Sequence, residues 1–302
     1  MQKKVLLAGG TGMIGRQIQT ILKSKGYLPA ILTRGDSLPE KNIYHWDPVK
    51  KTIDPKALDQ CFGVINLAGT NIGQWPWTKA RKQEIASSRI ESTTFLMEQI
   101  RTAPHPPEVY INASATGFYP DEDQDWLLED HAPDNDFLGT TCHRWESAVH
   151  QNAPGNCRVC IVRIGLVMST RGGIYPKFRL GTYFKMGVKL GSGNMYYSWI
   201  HLEDLARMFV FLLENKTCQG VYNGVSPHPL TMKSWMEVLA EFHKTWFTLP
   251  LPAWLLKLLL GDFAQLLLKG GRVSAQKIQA AGFTFNWPEW KQALDDLYKR
   301  ST

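Results

Sequence analysis

The sequence has little of what marks secreted, membrane-spanning or nucleic-acid-binding proteins. Five cysteines in 302 residues are too few to build a disulfide framework. The most apolar stretch, LPLPAWLLKLLLGDFAQLLL, is interrupted by Pro250, Pro252, Lys257, Gly261 and Asp262, and it therefore predicts two short packed helices rather than a membrane span. The formal net charge is +7, but no block of like charges indicates a nucleic-acid-binding tail.

Two other kinds of signal are also missing. The segment MQKKVLLAGGTG goes directly into a strand and a glycine loop, so we expect no signal peptide and a cytoplasmic protein. Cys157 and Cys160 in CRVC have the spacing of metal ligands, but no second Cys or His pair accompanies them, so we expect no metal site. With 44% hydrophobic and 20% charged residues, the chain has the composition of a globular protein with a sizeable core.

Short apolar runs alternate with helical patterns in the first half of the chain. KVLLAG predicts a strand, and MIGRQIQTILKSKG predicts a helix with Ile14, Ile18, Ile21 and Leu22 on one face. Further strands are predicted at PAILTR, GVINLAG, VYINASA and CIVRIGLV, and a long helix is predicted from 78 to 102. Apolar strands joined by helices indicate an α/β fold with a Rossmann-like, doubly wound parallel sheet.

The composition changes after Ser169. A glycine-rich loop, RGGIYPKF, and the segment LGSGNMYYSWIHLEDL precede a last predicted strand at GVYNGV, and the chain from SPHPLT onward is helical in pattern. We therefore predict a Rossmann domain over residues 1–225, in which 171–196 contribute to the substrate side. Residues 226–302 are predicted to form a smaller, mainly helical C-terminal lobe.

The loop GGTGMIG places three glycines between a strand and an amphipathic helix. One glycine permits a tight turn, the next lets the backbone approach a pyrophosphate, and the last lets the helix pack on the strand. The start of the helix presents free N–H groups to phosphates. The sequence thus predicts a dinucleotide site. Its residues at this loop are Gly9, Thr11, Gly12, Met13, Ile14 and Gly15.

The end of the second predicted strand distinguishes NAD from NADP. An acidic residue there would bind the ribose hydroxyls of NAD, but LTRGDS has Thr33 and Arg34, and the nearest acid, Asp36, lies beyond a glycine. The planar guanidinium of Arg34 suits a 2′-phosphate; a solvated arginine without this role is the alternative. We therefore expect NADP as the cofactor and NAD as the less favoured choice.

Several motifs of the sequence resemble those of a known family. GGTGMIG, NLAG (66–69) and NASATGFY look like an extended short-chain dehydrogenase/reductase. WTKARKQEIASSRIESTT, SATGFY, CHRWE, SWIHLEDL and GRVSAQKIQAAGFTF are similar to one atypical branch of it. That branch is the epimerase-like family with a dedicated C-terminal domain, loosely labelled sugar-nucleotide epimerase or cell-division inhibitor. The similarity runs from about Lys4 to Leu297.

The resemblance implies roles for further residues. Ser114 stands where these enzymes have the Ser or Thr that hydrogen-bonds a substrate carbonyl, which suits it to hold negative charge developing on oxygen. A serine that only ends a strand, without this contact, is the equal alternative. The loop that follows the fourth strand along the cofactor is matched here by Asn66, Leu67, Ala68 and Gly69. Asp47 follows the third strand, where it would meet the adenine amine or, equally, form a turn before the next residue, a proline.

The long predicted helix departs from the family pattern at RIEST (89–93), where extended reductases tend to have Asn-Val-x-Gly-Thr. Ile85, Arg89, Thr93 and Met97 share one face by their i+4 spacing, so we expect Arg89 to be partly buried. Its candidate partners are a cofactor phosphate, a substrate anion and an internal carboxylate. We include Arg89 among the cofactor-binding candidates.

The catalytic Tyr-x-x-x-Lys pair of the parent enzymes is absent. Aligning Glu146 with the acidic residue that often follows the motif places Leu138 at the Tyr and Cys142 at the Lys, and no Tyr in the chain has a Lys four residues later. In the parent enzymes the Tyr donates a proton, and the Lys lowers its pKa while holding the nicotinamide ribose. Leucine can do neither. Cys142 could donate a proton but cannot supply the positive charge, and it stays a cofactor-binding candidate by position.

Other groups are candidates for the proton donor. Tyr119 lies just beyond Ser114, although the similar Tyr of the parent enzymes serves mainly as structure. His201 in SWIHLEDL is another candidate, and its alternative role is to tie a loop to the helix that follows. Tyr175 and Lys177, beside the glycine-rich loop, could line a substrate entrance.

Three functions follow from these patterns. The favoured one is an NADP(H)-dependent oxidoreductase acting on an unidentified small carbonyl or alcohol, with a nonstandard proton donor. The alternative is a nucleotide-binding sensor or scaffold without turnover, which the missing Tyr and Lys suggest. A sugar-nucleotide epimerase comes third because that chemistry depends on the same missing Tyr. The resemblance also implies a homodimer as an option. The scattered charges and the interrupted apolar stretch predict no nucleic-acid or membrane partner.

Overall fold

The computed structural model of the protein describes residues 2–176 and 185–300, without the side chains of residues 122–124 and 247. The described strands are β1 (Lys4–Ala8), β2 (Leu28–Thr33), β3 (Ile43–Asp47), β4 (Thr52–Ile53), β5 (Cys61–Asn66), β6 (Val109–Ala115), β7 (Glu122–Leu127), β8 (Arg158–Ile164), β9 (Leu166–Ser169), β10 (Gly172–Gly173), β11 (Met186–Leu190), β12 (Tyr196–Tyr197), β13 (Trp199–His201), β14 (Gly220–Gly224), β15 (Leu230–Thr231), β16 (Phe247–Leu251) and β17 (Gly271–Val273). The described helices are α1 (Met13–Ser24), α2 (Lys79–Thr102), α3 (Phe137–Asn152), α4 (Leu202–Glu214), α5 (Met232–His243), α6 (Ala253–Leu260), α7 (Gln265–Leu268), α8 (Gln276–Ala280) and α9 (Trp290–Lys299).

The main sheet has the order β14–β8–β6–β5–β1–β2–β3–β4. Its pairings are parallel, except that β4 runs antiparallel to β3. The order reverses between β1 and β5, so the carboxyl ends of these strands border the crevice where doubly wound sheets bind ligands. The predicted Rossmann-like fold is confirmed.

Helices cover both faces of this sheet. On one face, α1 and α4 pack together, and Ile18, Leu22 and Phe209 are fully buried. On the other face, α2 and α3 pack together, and Leu96 and Val149 join the core beneath them. The residues of α1 predicted to share a face do so, because this face is the one turned to the sheet.

The ends of the long helices are set by polar caps. The Thr78 hydroxyl accepts a hydrogen bond from the backbone N–H of Arg81 at 3.2 Å, so α2 begins just after the residue where the sequence placed its start. Asp136 caps α3 in the same way, accepting from the N–H of Gly139 at 2.7 Å. The helix that carries Leu138, Cys142 and Glu146 therefore has a well-defined first turn.

The prediction of a single strand at CIVRIGLV is wrong. β8 ends at Ile164 in the main sheet, and β9 begins at Leu166 in a separate small sheet with β10 and β13. Between them, a Cβ on Gly165 would lie 2.3 Å from the carbonyl oxygen of Ser198. The chain turns out of the main sheet at this glycine because another backbone segment passes directly over it.

The C-terminal lobe is mainly helical, as predicted, but it also contains three short strands that the pattern did not indicate. β15 pairs with β12, β16 with β11 and β17 with β7, so each joins the lobe to an earlier part of the chain. Its separate core is rich in tryptophan: the rings of Trp235 and Trp290 stack with their centroids 4.8 Å apart, and Trp199 meets Trp290 edge-on. The domain boundary near residue 225 stays a prediction.

The most apolar stretch of the sequence forms β16, α6 and α7, and the two short helices are separated by a 3-10 turn at Gly261–Ala264. The prediction of two short helices is confirmed. In the described part of the chain, no helix combines the length and the apolar character needed to cross a membrane.

Candidate functional site

The glycine loop between β1 and α1 is tightly constrained at two of its glycines. Gly9 has a φ of +77°, and a Cβ there would lie 2.8 Å from the carbonyl oxygen of Leu67. A Cβ on Gly15 would lie 2.6 Å from the Cα of Gly10, so this glycine lets α1 pack closely on the strand end. Both positions therefore exclude any side chain.

The N-terminus of α1 is open to an anion. Its N-cap, Gly12, offers no side chain to the first turn, so the N–H groups there are left for a ligand. The carbonyl groups of the loop face the protein instead: Arg16 Nε donates to Thr11 O at 2.8 Å, and Gln19 Nε2 donates to Gly10 O at 2.8 Å. The arrangement suits a pyrophosphate, and Met13 and Ile14 lie at its edge as partly exposed residues.

The end of β2 presents an exposed arginine. The hydroxyl of Thr33 accepts a hydrogen bond from the N–H of Gly35 at 3.2 Å, and the His45 ring nitrogen Nδ1 lies 2.9 Å from Gly35 O. These contacts hold the turn while the side chain of Arg34 projects to the surface. Asp47, at the end of β3, accepts from the N–H groups of residues 49 and 50, which is the turn-forming alternative of the two roles considered for it.

A buried amide holds the loop after β5. Asn66 is fully buried; its Nδ2, with two N–H groups, lies within hydrogen-bond distance of the side-chain oxygens of Thr93, Tyr110 and Asn112, and its Oδ1 accepts from the N–H of Ala68 at 3.1 Å. The loop of Leu67, Ala68 and Gly69 is thus fixed from below and touches the glycine loop through Leu67 O. The sequence analysis missed this role for Asn66, although an amide at the end of an apolar strand was a visible signal.

Arg89 is partly buried, as its helical face predicts. Its Nη1 donates to Ile85 O at 2.9 Å, and its Nη2 donates to Thr70 O at 3.1 Å. A Cβ on Gly69 would lie 3.0 Å from the Arg89 Cζ, so the guanidinium packs directly against this loop. Burial lowers the pKa of Arg89, and the like charge of Arg81 lowers it further.

Ser114, at the end of β6, belongs to a buried network that the sequence analysis did not find. Its hydroxyl donates to Glu146 Oε1 at 2.6 Å. Glu146 in turn accepts from Arg163 Nε at 2.9 Å and, through its other oxygen, from Arg163 Nη2 at 2.9 Å. A lone arginine in the apolar strand CIVRIGLV was the available signal, because a buried charge needs a partner. Its hydrogen bonds to Glu146 and Tyr119 outweigh burial and keep the pKa of Arg163 above its usual value.

Tyr119 is held in the same network. Its hydroxyl accepts from Arg163 Nη1 at 2.9 Å and donates to Asn223 Oδ1 at 2.6 Å, so its proton is engaged inside the protein. Burial raises the pKa of Tyr119 to about 12, which Arg163 only partly offsets. The geometry matches the structural role of this tyrosine, and its catalytic role stays a prediction.

Leu138 and Cys142, the residues aligned with the missing Tyr and Lys, are both buried in the structure. Leu138 is buried and lines a pocket together with Thr116, Tyr196, Ser198 and Lys269. This pocket lies between the end of β6, the start of α3 and the C-terminal lobe. Ser114, at 2% exposure, is not part of its wall.

Cys142, one helical turn after Leu138, is also buried. Burial raises the pKa of the Cys142 thiol to about 12, and Glu146 raises it further while Arg89 opposes it. A thiol with this pKa stays protonated at neutral pH and carries no negative charge to Arg89.

His201 is a helix cap in the structure. Its Nδ1 accepts from the N–H of Glu203 at 3.2 Å, and its Nε2 lies 3.2 Å from Asp296 Oδ2. Burial lowers the pKa of His201, against the opposing effect of Asp296. These contacts match the alternative role of tying a loop to α4, and the catalytic role stays a prediction. Of the two other candidates, Tyr175 is buried in the core of the C-terminal lobe, and Lys177 lies outside the described residues.

Two family models match the chain. The model of the NAD dependent epimerase/dehydratase family matches residues 5–223, and a domain of unknown function (DUF1731) matches residues 251–297. The chain belongs to the NAD-dependent epimerase/dehydratase family. The expected resemblance is confirmed, including the separate C-terminal domain.

Relatives in this family match over their full length. An epimerase family protein of Staphylococcus aureus is 35% identical over 303 residues, which cover 98% of this chain and 99% of the relative. One of Staphylococcus saprophyticus is 36% identical over 304 residues, with 98% and 99% covered. Among solved structures, the human epimerase family protein SDR39U1 (isoform 2) with NADPH has a TM-score of 0.89 at 28% identity, covering 98% of this chain and 99% of that chain. UDP-glucuronic acid 4-epimerase from Bacillus cereus, at 17% identity and a TM-score of 0.76, covers 99% of this chain and 100% of that chain and shares the fold.

The epimerase/dehydratase family match covers every element that carries the site on the Rossmann side. The glycine loop, the Asn66 loop, Arg89 and the Ser114–Glu146–Arg163 network all fall within residues 5–223. Lys269, in contrast, comes from the stretch matched by DUF1731 and closes the pocket with hydrogen bonds to Asp134 and Asp136.

Proposed function

We propose that this member of the epimerase/dehydratase family is an NADP(H)-dependent oxidoreductase acting on a small alcohol or carbonyl compound. The observation that carries this proposal is the hydrogen bond from Ser114 to Glu146, because it joins a hydroxyl at the expected nicotinamide side of the sheet to a buried carboxylate. A bound dinucleotide would supply the hydride acceptor or donor. The chain must supply a route for the proton.

Ser114 and Glu146 provide such a route without Tyr or Lys. Because the hydroxyl of Ser114 donates its proton to Glu146 Oε1, its oxygen is left to accept a proton from a substrate alcohol. In the oxidative direction, the substrate proton moves to Ser114 Oγ while the Ser114 proton moves to Glu146, which must release it to water before the next turnover. In the reductive direction the same two protons move back. Arg163 orients the carboxylate through two parallel hydrogen bonds.

The pocket beside Leu138 would hold the body of a small substrate. Ser114 lies behind its wall at 2% exposure, so the proposed contact with the Ser114 hydroxyl requires the wall at Thr116 to open. Its wall combines apolar side chains with the hydroxyl of Thr116, which lies two residues beyond Ser114 and is partly exposed. Leu138 offers apolar contact where a tyrosine hydroxyl would otherwise lie. Since the C-terminal lobe supplies the other wall, that lobe would select the substrate.

The cofactor side favours NADP. The open N-terminus of α1 suits the pyrophosphate, and Arg34 offers an exposed guanidinium at the adenosine end. The similar human protein was solved with NADPH, while other solved structures of the fold carry NAD. In this proposal, Arg34 is the residue that favours NADP over NAD.

Replacing Arg34 by alanine is therefore expected to abolish the preference for NADPH over NADH. Loss of a charge-assisted contact corresponds to about 2 kcal/mol, or roughly a 30-fold weaker affinity for NADPH, with the affinity for NADH unchanged. Energy transfer from tryptophan to the bound reduced nicotinamide measures both. Arg101→Ala, an exposed arginine at the far end of α2, is the matched control and should bind like the wild type. An unchanged preference in Arg34→Ala would remove the NADP assignment.

Replacing Ser114 by alanine tests catalysis. We expect kcat/KM for a carbonyl compound that the wild type reduces to fall roughly 10-fold to 100-fold, because the proton route is broken, while NADPH affinity stays the same. Ser114→Thr keeps the hydroxyl and should retain most activity. NADPH consumption against a panel of aldehydes, ketones and diketones is the measurement, and a wild type that binds NADPH but consumes it with none of them contradicts the proposal.

A non-catalytic NADP(H) sensor is the second candidate. Leu138 and Cys142 favour it, since neither can replace the Tyr and Lys of the parent enzymes. It predicts that NADPH raises the thermal stability of the protein without being consumed. A sugar-nucleotide epimerase comes third; it would interconvert a nucleotide sugar without net change in the bound dinucleotide, which a screen of nucleotide sugars would reveal.

A further inference from the structure

Arg89 is a partly buried cation that the proposed proton route does not use. Its two described hydrogen bonds go to backbone carbonyls, Ile85 O and Thr70 O, and neither partner carries a charge. A guanidinium has five N–H donors, so in residues 2–176 and 185–300 more donors remain than these carbonyls occupy. No ion pair to Arg89 occurs among the described residues.

A guanidinium that is partly buried without a carboxylate loses some of its hydration, and another electron-rich group would offset that loss. Cys142 is an ionisable side chain whose negative charge would offset that of Arg89, but its thiol stays neutral because burial raises its pKa to about 12. The other nearby charge is Arg81, which repels it. Trp145 lies under the guanidinium, with the ring centroid 5.4 Å from Cζ, and adds a weak attraction.

The loop next to Arg89 shows where the missing partner would lie. The guanidinium packs against Gly69, and the same loop touches the glycine loop through Leu67 O, so Arg89 borders the dinucleotide crevice. Along that crevice, Arg34 at the end of β2 marks the adenosine half. Gly69 follows β5 on the other side of β1, towards β6 and Ser114, and marks the nicotinamide half.

We propose that Arg89 holds the ribose of the nicotinamide half of the dinucleotide, donating hydrogen bonds from α2 to its hydroxyl oxygens. In this arrangement the positive charge comes from the guanidinium of Arg89 on α2. Cys142 on α3 occupies the position where the parent enzymes have their Lys. Arg89 packs against Gly69, where a Cβ would lie 3.0 Å from the Arg89 Cζ, so the loop and the arginine form one surface. This inference rests on the proposed binding of NADP(H).

The test uses a series of ligands that grow by one group at a time. Adenosine 2′,5′-bisphosphate contains the adenosine half, its 5′-diphosphate analogue adds the second phosphate, 2′-phospho-ADP-ribose adds the distal ribose, and NADP⁺ adds nicotinamide. Calorimetric titration of wild type and Arg89→Met with all four gives the affinities without any turnover. We expect unchanged affinity for the first two and a roughly 10-fold to 100-fold weaker affinity for the last two.

Each outcome separates the inference from the proposed function. If the affinity is already lost when the second phosphate is added, Arg89 binds the pyrophosphate and the ribose assignment is wrong. If Arg89→Met binds all four ligands like the wild type, Arg89 has no role in binding, while the proposed function stands. If the wild type binds none of them, the proposed function itself falls.

Two variants guard against an indirect effect. Arg101→Met changes an exposed arginine on the same helix and should leave all four affinities unchanged. Arg89→Lys keeps the charge but loses the planar fork, so it should bind 2′-phospho-ADP-ribose with an affinity between those of the wild type and Arg89→Met. If Arg89→Met does not fold, an Arg89→Gln protein, which lacks the charge, with wild-type affinity for every ligand overturns the proposal.

Discussion

Replacing Arg163 by methionine is expected to lower the free energy of unfolding by about 3–5 kcal/mol. The variant leaves Glu146 in the core without its two hydrogen bonds from the guanidinium, and the side chains of Glu146 and Arg163 are 6% and 4% exposed. It also removes a donor from Tyr119 and from Glu129 O, and the packing of the guanidinium on the Phe118 ring, 3.4 Å from its centroid. Urea unfolding followed by tryptophan fluorescence measures the loss.

A double variant isolates the ion pair. Arg163→Met with Glu146→Leu removes both charges, and a buried pair replaced by apolar groups is often nearly neutral. We therefore expect the double variant to recover at least half of the stability lost in Arg163→Met. Arg101→Met, at an exposed position, should change stability by less than about 0.5 kcal/mol. A double variant no more stable than Arg163→Met would mean that packing on Phe118 and Tyr119, rather than the stranded carboxylate, dominates.

Replacing Gly9 by alanine is expected to lower the free energy of unfolding by about 2–4 kcal/mol. Part of this loss comes from the φ of +77°, which a side chain disfavours, and part from a Cβ that would lie 2.8 Å from Leu67 O. Since Asn66 fixes the loop of Leu67 from below, the loop cannot easily withdraw. We also expect NADPH affinity to fall more than roughly 10-fold, because the displaced backbone borders the pyrophosphate position.

Gly26 offers a matched control. Its φ is +80°, almost that of Gly9, but a Cβ there would meet nothing within 4 Å. Gly26→Ala should therefore show the conformational cost alone, about 1 kcal/mol, with NADPH affinity unchanged. Equal losses of stability in the two variants would contradict the collision with Leu67 and leave the backbone conformation as the whole cause.

Much of the fold was predictable because local patterns carry it. The apolar runs at KVLLAG and VYINASA gave strands in the expected places, and Thr78 and Gly26 mark helix ends by their own conformational preferences. The break at Gly165 was not predictable in this way. It depends on the carbonyl of Ser198, more than thirty residues later in the chain, which passes over the glycine.

The residues of the candidate site also differ in whether their arrangement depends on neighbouring or on distant parts of the chain. The glycine spacing and Arg34 lie within one βαβ unit, so their arrangement follows from neighbouring residues. Glu146 lies on a helix and Arg163 on a strand, and the contact between these two elements depends on the whole sheet. In the sequence, Glu146 served only to align the chain with the parent motif. The structure turned it into the hydrogen-bond partner of Ser114.

The sequence by itself determined the class of fold, the dinucleotide loop and the absence of Tyr-x-x-x-Lys, because each of these is a matter of periodicity or of short spacing. The tertiary structure decided which polar groups are buried together. It brought Ser114 to Glu146, set Arg89 against Gly69, and engaged Tyr119 and His201 in structural contacts. Burial is decided by what packs over a residue, and those partners come from distant parts of the chain.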